Sequence, residues 1–318
     1  MVAELPAGVG RHRARVSCGR LGVPYTATAL ISRPALTSRL RLCVVVPTTH
    51  RVTAVSALVN QVRATCPCPH SIVVVDNAPN SSQASWEGVD CDEVIARPEY
   101  LGSGESFRVG LQRAREICSP WTLLLDHDAV LPSETLRVLM AFAEQHGSDV
   151  YSCNQNGSMG GWAYVAHGEV VRVGPQLTDT LPRPRLAQWS GMLLSSRAAD
   201  VVAAYPTDYF FSWDDYLVSD MLWNQGMQII GVKDAVVGNS RDPRLLPWRH
   251  YYSTRNHVLF LQDIGALTWR VRLAVARRHL RLALGQARRG KREDALAVAT
   301  GLFHGMRNVR GFSRDYSP

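Results

Sequence analysis

Three short runs of apolar, mostly β-branched residues constrain the fold more than any other feature of this sequence. They are LCVVVP from Leu42, IVVV from Ile72 and TLLL from Thr122. Runs of this kind, apolar on both faces, are typical of central strands in a parallel sheet covered by helices on both sides. Between the first two runs, one helical face carries Val52, Val55, Leu58, Val59 and Val62. The alternation predicts parallel strands joined by crossover helices.

Further segments extend this pattern along the chain. A third, shorter strand is predicted at DEVIAR, and a glycine turn leads into a helix at YLGSGESFRVGLQRARE. After about residue 150 the patterns predict a hairpin in NGSMGGWAYVAHGEVVRVGP and a strand in AQWSGMLLSS, followed by a helix near Arg197 to Ala204. Two short strands are predicted at MQIIGV and DAVVGN. One helix is predicted to begin between Trp213 and Asp215 and to end at Gly226. Helices are also predicted from Trp248 to about Arg307.

Composition narrows the class of protein. The 318 residues, 46% of them hydrophobic, suffice for one large domain or one domain with an appendage. The net charge of +8 favours an anionic partner, with nucleotides, phospholipid headgroups and nucleic acid all open. Seven scattered cysteines predict reduced thiols in a cytosolic protein. The N-terminal segment lacks the apolar core of a signal peptide, and no apolar run reaches the roughly 20 residues of a membrane span.

Polar residues follow each of the three apolar runs. They are Thr48 and Thr49, then Asp76 and Asn77, and finally Asp126, His127 and Asp128. In an open sheet the ligand binds beyond the carboxyl ends of the strands, so we expect these residues to face one crevice. The two carboxylates of an Asp-x-Asp pattern suit Mg²⁺ or Mn²⁺, with phosphate oxygens as further ligands. A solvated turn is the alternative interpretation, and Asp76 and Asn77 could simply terminate their strand.

Two other features each allow two interpretations. Asp214 and Asp215 stand where a helix is predicted to begin, so they either cap that helix or supply a general base. Between Ala266 and Arg310 there are eleven Lys or Arg and two acidic residues. There, Trp269, Leu273, Leu280 and Leu284 share one helical face, and Arg270, Arg277, Arg281 and Arg288 share the adjoining one. This pattern fits a core-packed helix with a solvated rim, or a helix on an anionic membrane surface.

Several other functions are disfavoured. The glycines of LGSGESFRVG lack dinucleotide-binding spacing, because Phe107 stands where the third glycine would be. No P-loop and no G-x-S-x-G elbow occurs. Nucleic acid is disfavoured because no DNA- or RNA-reading motif is present.

The order of these segments resembles that of family 2 glycosyltransferases of the GT-A fold, especially the bacterial rhamnosyl- and galactofuranosyl-transferase branches. The resemblance covers residues 41–262, with a looser similarity in the basic C-terminal helices. It rests on VVVPTTHR, IVVVDN, YLGSGESFRVGLQRA, DHD, WDDYLVSDMLWNQG and HYYSTRNHVLFL. Three positions depart from the family pattern: Tyr100 and Arg108 replace asparagines, and Asn239 replaces a metal-binding histidine.

This resemblance implies an α/β fold with a GT-A-type, nucleotide-binding, mostly parallel sheet flanked by helices, and a helical C-terminal region. The expected divisions are an N-terminal arm or extra strands (1–40), a nucleotide-sugar-binding half (41–150), an acceptor and catalytic half (151–262) and a basic helical region (263–318). The implied activity is an inverting, Mn²⁺- or Mg²⁺-assisted hexosyl- or pentosyl-transfer from a nucleoside-diphosphate sugar to an acceptor hydroxyl. A lipid-linked acceptor would bring this cytoplasmic protein to the inner membrane face.

The resemblance also assigns roles to matching positions. Expected nucleotide contacts are Thr48, Arg51, Asp76, Gly102 and Asp126. Expected metal ligands are Asp128 and Asp126, with Asn239 and His250 as candidates for a third. Asp215 is the expected general base and Asp214 the residue that positions the acceptor. The expected pocket residues are Trp189, Ser190, Gly191 and Trp213.

Two alternatives stay open at this stage. A nucleotidyltransferase shares a related sheet and metal chemistry, but PTTHRVTAV has no glycine after the first strand, where such an enzyme needs a Gly-rich loop. A non-catalytic protein that binds sugar nucleotides or lipid surfaces is favoured by Asn239 in place of the usual histidine.

Overall fold

The computed structural model describes residues 42–66, 68, 70–78, 85–156, 161–166, 169–173, 182–204, 208–239 and 246–318. The strands in this part of the chain are β1 (Leu42–Thr48), β2 (His70–Asn77), β3 (Glu93–Arg97), β4 (Trp121–Leu124), β5 (Ala129–Val130), β6 (Val150–Gln155), β7 (Ala163–Ala166), β8 (Glu169–Arg172), β9 (Met192–Ser195) and β10 (Ile229–Asn239). The helices are α1 (Val52–Thr65), α2 (Ser103–Glu116), α3 (Thr135–His146), α4 (Ser196–Ala203), α5 (Asp214–Asn224), α6 (Pro247–Asp263), α7 (Trp269–Arg288) and α8 (Arg292–Met306). The predicted N-terminal arm, residues 1–40, lies outside the described residues.

Eight of the described strands form one mixed sheet in the order β3-β2-β1-β4-β9-β6-β10-β5. Its β1, β2, β3 and β4 pair in parallel, as do β6 and β10. Two strands run antiparallel to their neighbours: β9, inserted between β4 and β6, and β5 at the edge beside β10. The mostly parallel sheet predicted from the sequence is thus confirmed. β7 and β8 form the predicted separate hairpin.

Helices cover both faces of this sheet, which explains why its central strands are apolar throughout. On one face, Leu42, Val44 and Val46 of β1 pack with apolar residues of α1 and α3. On the other face, Cys43 and Val45 pack with α2, and the same cluster continues into α4 and α5. A strand buried on both sides must be apolar at every position, so β1 was readily predicted.

Two strands differ from the predictions. β6 was not predicted, because VYSCNQ mixes polar and apolar residues although all six are buried. MQIIGV and DAVVGN were predicted as two strands but form the single strand β10, whose pairing with β6 shifts register between Val232 and Val236. The six cysteines of the described residues are free thiols, as predicted.

The C-terminal helices pack on one another and beside the segment that leads into α5. Gly301 and Gly305 of α8 allow close contact with α6: a Cβ at Gly301 would lie 2.5 Å from the carbonyl oxygen of Tyr251. A Cβ at Gly305 would lie 2.8 Å from the carbonyl oxygen of Arg255. None of the described helices is long and apolar enough to cross a membrane.

The loop before α5 has a strained backbone. Phe210, Ser212 and Trp213 have positive φ angles of 68°, 66° and 70°. Such conformations cost on the order of 1–3 kcal/mol per non-glycine residue, so they persist only where surrounding contacts hold them.

Two adjacent residues of α6, Arg255 and Asn256, hold this loop; we call them the α6 clamp. Asn256 Nδ2 donates hydrogen bonds to the carbonyl oxygens of Tyr209 (2.7 Å), Phe211 (2.6 Å) and Ser212 (3.2 Å). Arg255 donates to the Tyr209 carbonyl (2.9 Å) and, through Nε, to Asn256 Oδ1 (2.8 Å). The clamp therefore satisfies buried loop carbonyls from the side of α6.

We predict that Asn256→Ala lowers the free energy of unfolding by about 2–4 kcal/mol, because several buried carbonyl groups lose their donor. Urea denaturation measures this loss. Asn60→Ala, at an exposed position of α1, is the matched control and should change stability by less than about 0.5 kcal/mol. An Asn256→Ala protein as stable as the control would show that the clamp does not hold the loop.

A pair of buried histidines joins α6 to α7. His257 Nδ1 lies 3.0 Å from His279 Nε2, and Trp213 stacks on His257 with ring centroids 4.5 Å apart. Burial lowers the pKa of His257 to about 3 and that of His279 to about 4, from an ordinary value of 6.5. Both rings are therefore neutral in the folded protein at neutral pH.

Acid should destabilise the protein through this pair. Because both folded-state pKa values lie below the unfolded value, the unfolded chain binds more protons below about pH 6.5. The contribution of the neutral histidine pair to the free energy of unfolding is complete above that pH. It is lost as the pH falls toward 4, by about 1.4 kcal/mol per pH unit for each histidine. In urea denaturation between pH 6.5 and 4.5, His279→Gln should make this slope shallower. His146→Gln, at an exposed position, should leave the slope unchanged, and equal slopes in all three proteins would contradict the assignment.

Candidate active site

A cleft of about 280 Å³ lies at the carboxyl ends of β1, β2 and β4. Five residues predicted as site residues line it: Thr48, Gly102, Asp126, Asp128 and Asn239. The other strand-end residues that line it are Thr49, Asn77 and His127. The expectation that the polar strand ends share one crevice is therefore confirmed, except for Asp76.

The acidic side of the cleft is the turn between β4 and β5. The backbone N–H of Asp126 donates to Ser190 Oγ (3.2 Å), and that of Ala129 donates to the Asp126 carbonyl (3.0 Å). These bonds fix the turn that carries Asp126 and Asp128. Asn239 reaches the same place because it pairs with Ala129 in the β10–β5 ladder.

The side-chain oxygen of Asn239 is the strongest sign of a missing partner. Asn239 Oδ1 is buried and accepts no hydrogen bond from any described residue. A buried acceptor without a donor is costly, and cation coordination is one way of satisfying it. No three His, Cys, Asp or Glu side chains of the described residues cluster as a metal site. Two carboxylates and one amide oxygen nevertheless form a donor set that suits Mg²⁺ or Mn²⁺ when phosphate oxygens complete it.

Positive charge borders the same cleft. Arg249 lines it near the start of α6, with Cζ 5.2 Å from the Trp248 ring centroid and 5.8 Å from that of Phe211. Its Nε is buried and has no hydrogen-bond partner among the described residues. Burial lowers the pKa of His127; Asp128 opposes this shift, and the charges of Arg51 and Arg249 add to it. The cleft thus offers one arginine guanidinium, that of Arg249, together with two carboxylates, an arrangement that suits a metal-bound diphosphate.

The glycine turn before α2 forms part of the cleft wall. Gly102 has φ +83°, and a Cβ there would lie 2.0 Å from the carbonyl oxygen of Phe210. Asn77 holds this turn by accepting from Leu101 N (2.7 Å) and donating to the Gly102 carbonyl (3.2 Å). The Ser103 N–H donates to the Phe210 carbonyl (2.9 Å). The strained loop before α5 is therefore tied directly to the edge of the cleft.

The two carboxylates at the start of α5 have different surroundings. Asp214 is buried, and its Oδ2 accepts from Trp189 Nε1 (2.9 Å) and Ser103 Oγ (3.0 Å). Burial raises the pKa of Asp214, and the bonds from Trp189 and Ser103 oppose that shift. Asp215 is half-buried, and its Oδ1 accepts from the Tyr216 N–H (2.8 Å). Neither carboxylate lines the cleft, but Asp214 connects to it through Ser103.

Three predicted ligand-binding residues also lie away from the cleft wall. Arg51 is exposed and influences the cleft through its charge. Asp76 is buried and accepts hydrogen bonds from the backbone N–H (3.0 Å) and Nδ1 (2.9 Å) of His50. His250 Nε2 lies 3.9 Å from Asp294 Oδ2 on α8, so the structure does not bring it to the carboxylate pair. The preceding residue, Arg249, faces the cleft instead.

The four predicted pocket residues contact other residues of the site and its surroundings rather than the cleft itself. Trp189 binds Asp214, Ser190 binds the backbone of Asp126, and Trp213 donates to the carbonyl of Ser253 (2.9 Å). Gly191 has φ +82° and donates to the carbonyl of Leu124 (2.7 Å). None of the four lines the cleft.

Sequence patterns missed several residues that line the cleft. Arg249 and Phe211 have no motif of their own, and Ser103 lies in the glycine turn without an assigned role; each reaches the cleft only through the packing of its segment. His127, by contrast, was expected to face the crevice with Asp126 and Asp128, and it lines the cleft.

Residues 43–194, which span β1 to β9 and include Thr48, Asp126 and Asp128, match the family model described as glycosyl transferase family 2. A search of curated proteins found no match.

Solved structures share the fold at low sequence identity. The mannosyltransferase PcManGT from Pyrobaculum calidifontis, in complex with GDP-Man and Mn²⁺, aligns with a TM-score of 0.53 and 14% identity over 86% of this chain and 88% of its own. S. aureus TarS 1-349 in complex with UDP aligns with a TM-score of 0.50 and 19% identity over 85% of this chain and 92% of its own. GalNAc-T7 with UDP, GalNAc and Mn²⁺ aligns with a TM-score of 0.55 and 16% identity over 71% of this chain and 48% of its own. The chain therefore has the GT-A fold of these structures, and its residues 43–194 resemble glycosyl transferase family 2.

Proposed function

We propose that this protein is a glycosyltransferase that moves a sugar from a nucleoside-diphosphate sugar to an acceptor hydroxyl, with inversion at the anomeric carbon and with help from Mn²⁺ or Mg²⁺. The observation that carries the proposal is the unpartnered Oδ1 of Asn239 beside Asp126 and Asp128 in the cleft. The three structures with the same fold, crystallised with UDP, GDP-Man or UDP and GalNAc, are consistent with a nucleotide-sugar donor.

On the donor side, Thr48 and the turn at Gly102 line the cleft where the nucleoside would lie. Asp126, Asp128 and the amide oxygen of Asn239 would hold the cation. When bound, that cation would neutralise charge on the leaving diphosphate. The Arg249 guanidinium, which lines the same cleft, would donate hydrogen bonds to the phosphates.

On the acceptor side, Asp215 would remove the proton from the attacking hydroxyl. The acceptor oxygen bonds to the anomeric carbon while the bond from that carbon to the diphosphate oxygen breaks. The proton goes to the Asp215 carboxylate, and the electron pair leaves with the diphosphate. Asp214 would orient this end of α5 through Trp189 and Ser103, both of which bind its carboxylate. One displacement with one base inverts the configuration.

The acceptor and the location complete the proposal. We propose a lipid-linked acceptor, which the exposed apolar and arginine faces of residues 269–288 support, and a cytoplasmic protein that works at the inner membrane face. A thermal-shift screen of UDP-, GDP- and dTDP-sugars, with and without Mn²⁺, tests the donor class. Stabilisation by at least one of these donors is expected, and no stabilisation by any of them would refute a nucleoside-diphosphate donor.

The metal ligands can be tested through nucleotide binding. We predict that Asp128→Ala and Asn239→Ala each weaken Mn²⁺-dependent nucleotide binding by at least about 10-fold, the effect of losing even an outer-shell partner. Asp128→Ala should also abolish transfer. Isothermal titration with nucleoside diphosphate, in the presence of Mn²⁺ or of a chelator, measures the difference. Asp234→Ala, an exposed carboxylate of β10, is the control; if Asp128→Ala binds like this control, Asp128 is not a ligand.

The general base can be tested with two matched substitutions. Asn stabilises helix starts nearly as well as Asp, so Asp215→Asn should fold and bind donor normally. We predict that its transfer rate falls by about 10²-fold or more, the scale of lost acid–base assistance. Asp214→Asn keeps an acceptor for Trp189 and should lose less activity. The reverse result, a near-normal Asp215→Asn and an inactive Asp214→Asn, would move the base to Asp214.

A further inference from the structure

One side of α7 is apolar and faces solvent. Trp269, Leu273, Leu280 and Leu284 are 71%, 43%, 50% and 57% exposed, and their spacing places them on one face of the helix. We call these four residues the apolar stripe. Exposed apolar surface of this extent, arranged in a line, marks a place where something else packs.

A line of arginines runs beside the apolar stripe. Arg270, Arg277, Arg281 and Arg288 are exposed on the adjoining face, and we call them the arginine row. The whole of α7 contains six arginines and no Asp or Glu. The Arg270 Cζ lies 5.3 Å from the Trp269 ring centroid, so cation and indole occupy the same end of the helix.

The opposite side of α7 is anchored to the protein. Val275, His279, Ala283 and Gln286 are buried, and His279 contacts His257 of α6. The helix therefore cannot turn its apolar stripe inward without losing this packing. Beside it, α8 also exposes Leu296 and Phe303, and Arg307 Cζ lies 4.3 Å from the Phe303 ring centroid.

We propose that α7 docks the protein on a bilayer surface rich in anionic phospholipids. The apolar stripe would enter the boundary between headgroups and acyl chains, and the arginine row would bind the phosphates above it. A basic helix with Trp and Leu on its other exposed face has the composition of helices that lie in this interface. The proposal depends on the proposed function only for its purpose, access to a membrane-bound acceptor, and not for the docking itself.

A second copy of this chain fits the surface less well. Two-fold pairing through the apolar stripes would bring the two arginine rows close together without any acidic residue from either α7 helix. Anionic headgroups supply the complementary charge along the whole row, and the attraction is about five-fold in affinity for each arginine near the surface.

The test is vesicle flotation of the full chain with phosphatidylglycerol–phosphatidylcholine mixtures and with phosphatidylcholine alone. Binding is expected only to the anionic vesicles and should weaken as salt is raised, because salt screens such attraction. Replacing the four arginines of the row by Gln should weaken binding by 100-fold or more. The combination Trp269→Ser, Leu280→Gln and Leu284→Gln should also release the protein.

A matched variant separates docking from simple net charge. Arg115→Gln, Arg137→Gln, Arg197→Gln and Arg314→Gln remove the same charge from exposed positions outside α7 and should keep the parent's affinity. Equal losses in both four-arginine variants would overturn the proposal. Equal binding to neutral and anionic vesicles would also overturn it. So would a dimer in sedimentation equilibrium that dissociates when the apolar stripe is substituted, if the protein does not bind vesicles. Hydrolysis of the donor sugar is measured in parallel and should be unchanged in every α7 variant, so a failure of docking is distinguishable from a failure of the proposed reaction.

Discussion

The α6 clamp is the interaction on which the rest of the site depends. The loop before α5 bends through three non-glycine residues with positive φ, and its carbonyl groups point into the protein. Asn256 satisfies three of them and Arg255 one of the same three, so two adjacent side chains hold a backbone that would otherwise relax. The Arg255 charge is itself buried, against the ring faces of Tyr251 and Tyr252 at 5.4 and 4.8 Å. Burial lowers the pKa of Arg255, so this charge is tolerated only because carbonyl dipoles and aromatic faces surround it.

Because this loop is held, the Gly102 turn at the cleft and the start of α5 have a defined arrangement. The Phe210 carbonyl contacts the Gly102 turn, and no side chain larger than hydrogen fits at that turn. Four residues farther along the same backbone, α5 begins, with Asp214 bonded to Ser103 of the Gly102 turn. A strained loop, a glycine turn and a buried carboxylate thus link the strand ends that face the cleft to the helix that carries the proposed base.

The charges of the molecule are distributed in two places with different roles. In the cleft, Arg249 and two carboxylates lie close together, an arrangement suited to a cation bound with a diphosphate. On α7, arginines stand without acidic neighbours on the helix and beside exposed apolar residues, which suits a broad anionic surface rather than a single ligand. The buried His257–His279 pair connects α7 to α6 and, through Trp213, to the loop before α5. The surface helix α7 is therefore packed against α6 and, through it, connected to the loop before α5.

The sequence by itself determined the central strands and the residues at their ends, because a strand buried on both faces must be apolar and the change to polar residues marks where it leaves the core. This is why β1, β2 and β4 and the positions of Asp126 and Asp128 could be predicted. It could not determine β6, whose polar residues are buried only because neighbouring strands and side chains satisfy them. Nor could it choose between Arg249 and His250, since one step along a helix turns a side chain by about 100°, and the packing of α6 sends the first to the cleft and the second to α8. Only the tertiary structure decided that Asn239 stands beside the carboxylates, because the pairing of β10 with β5 joins positions more than a hundred residues apart in the chain.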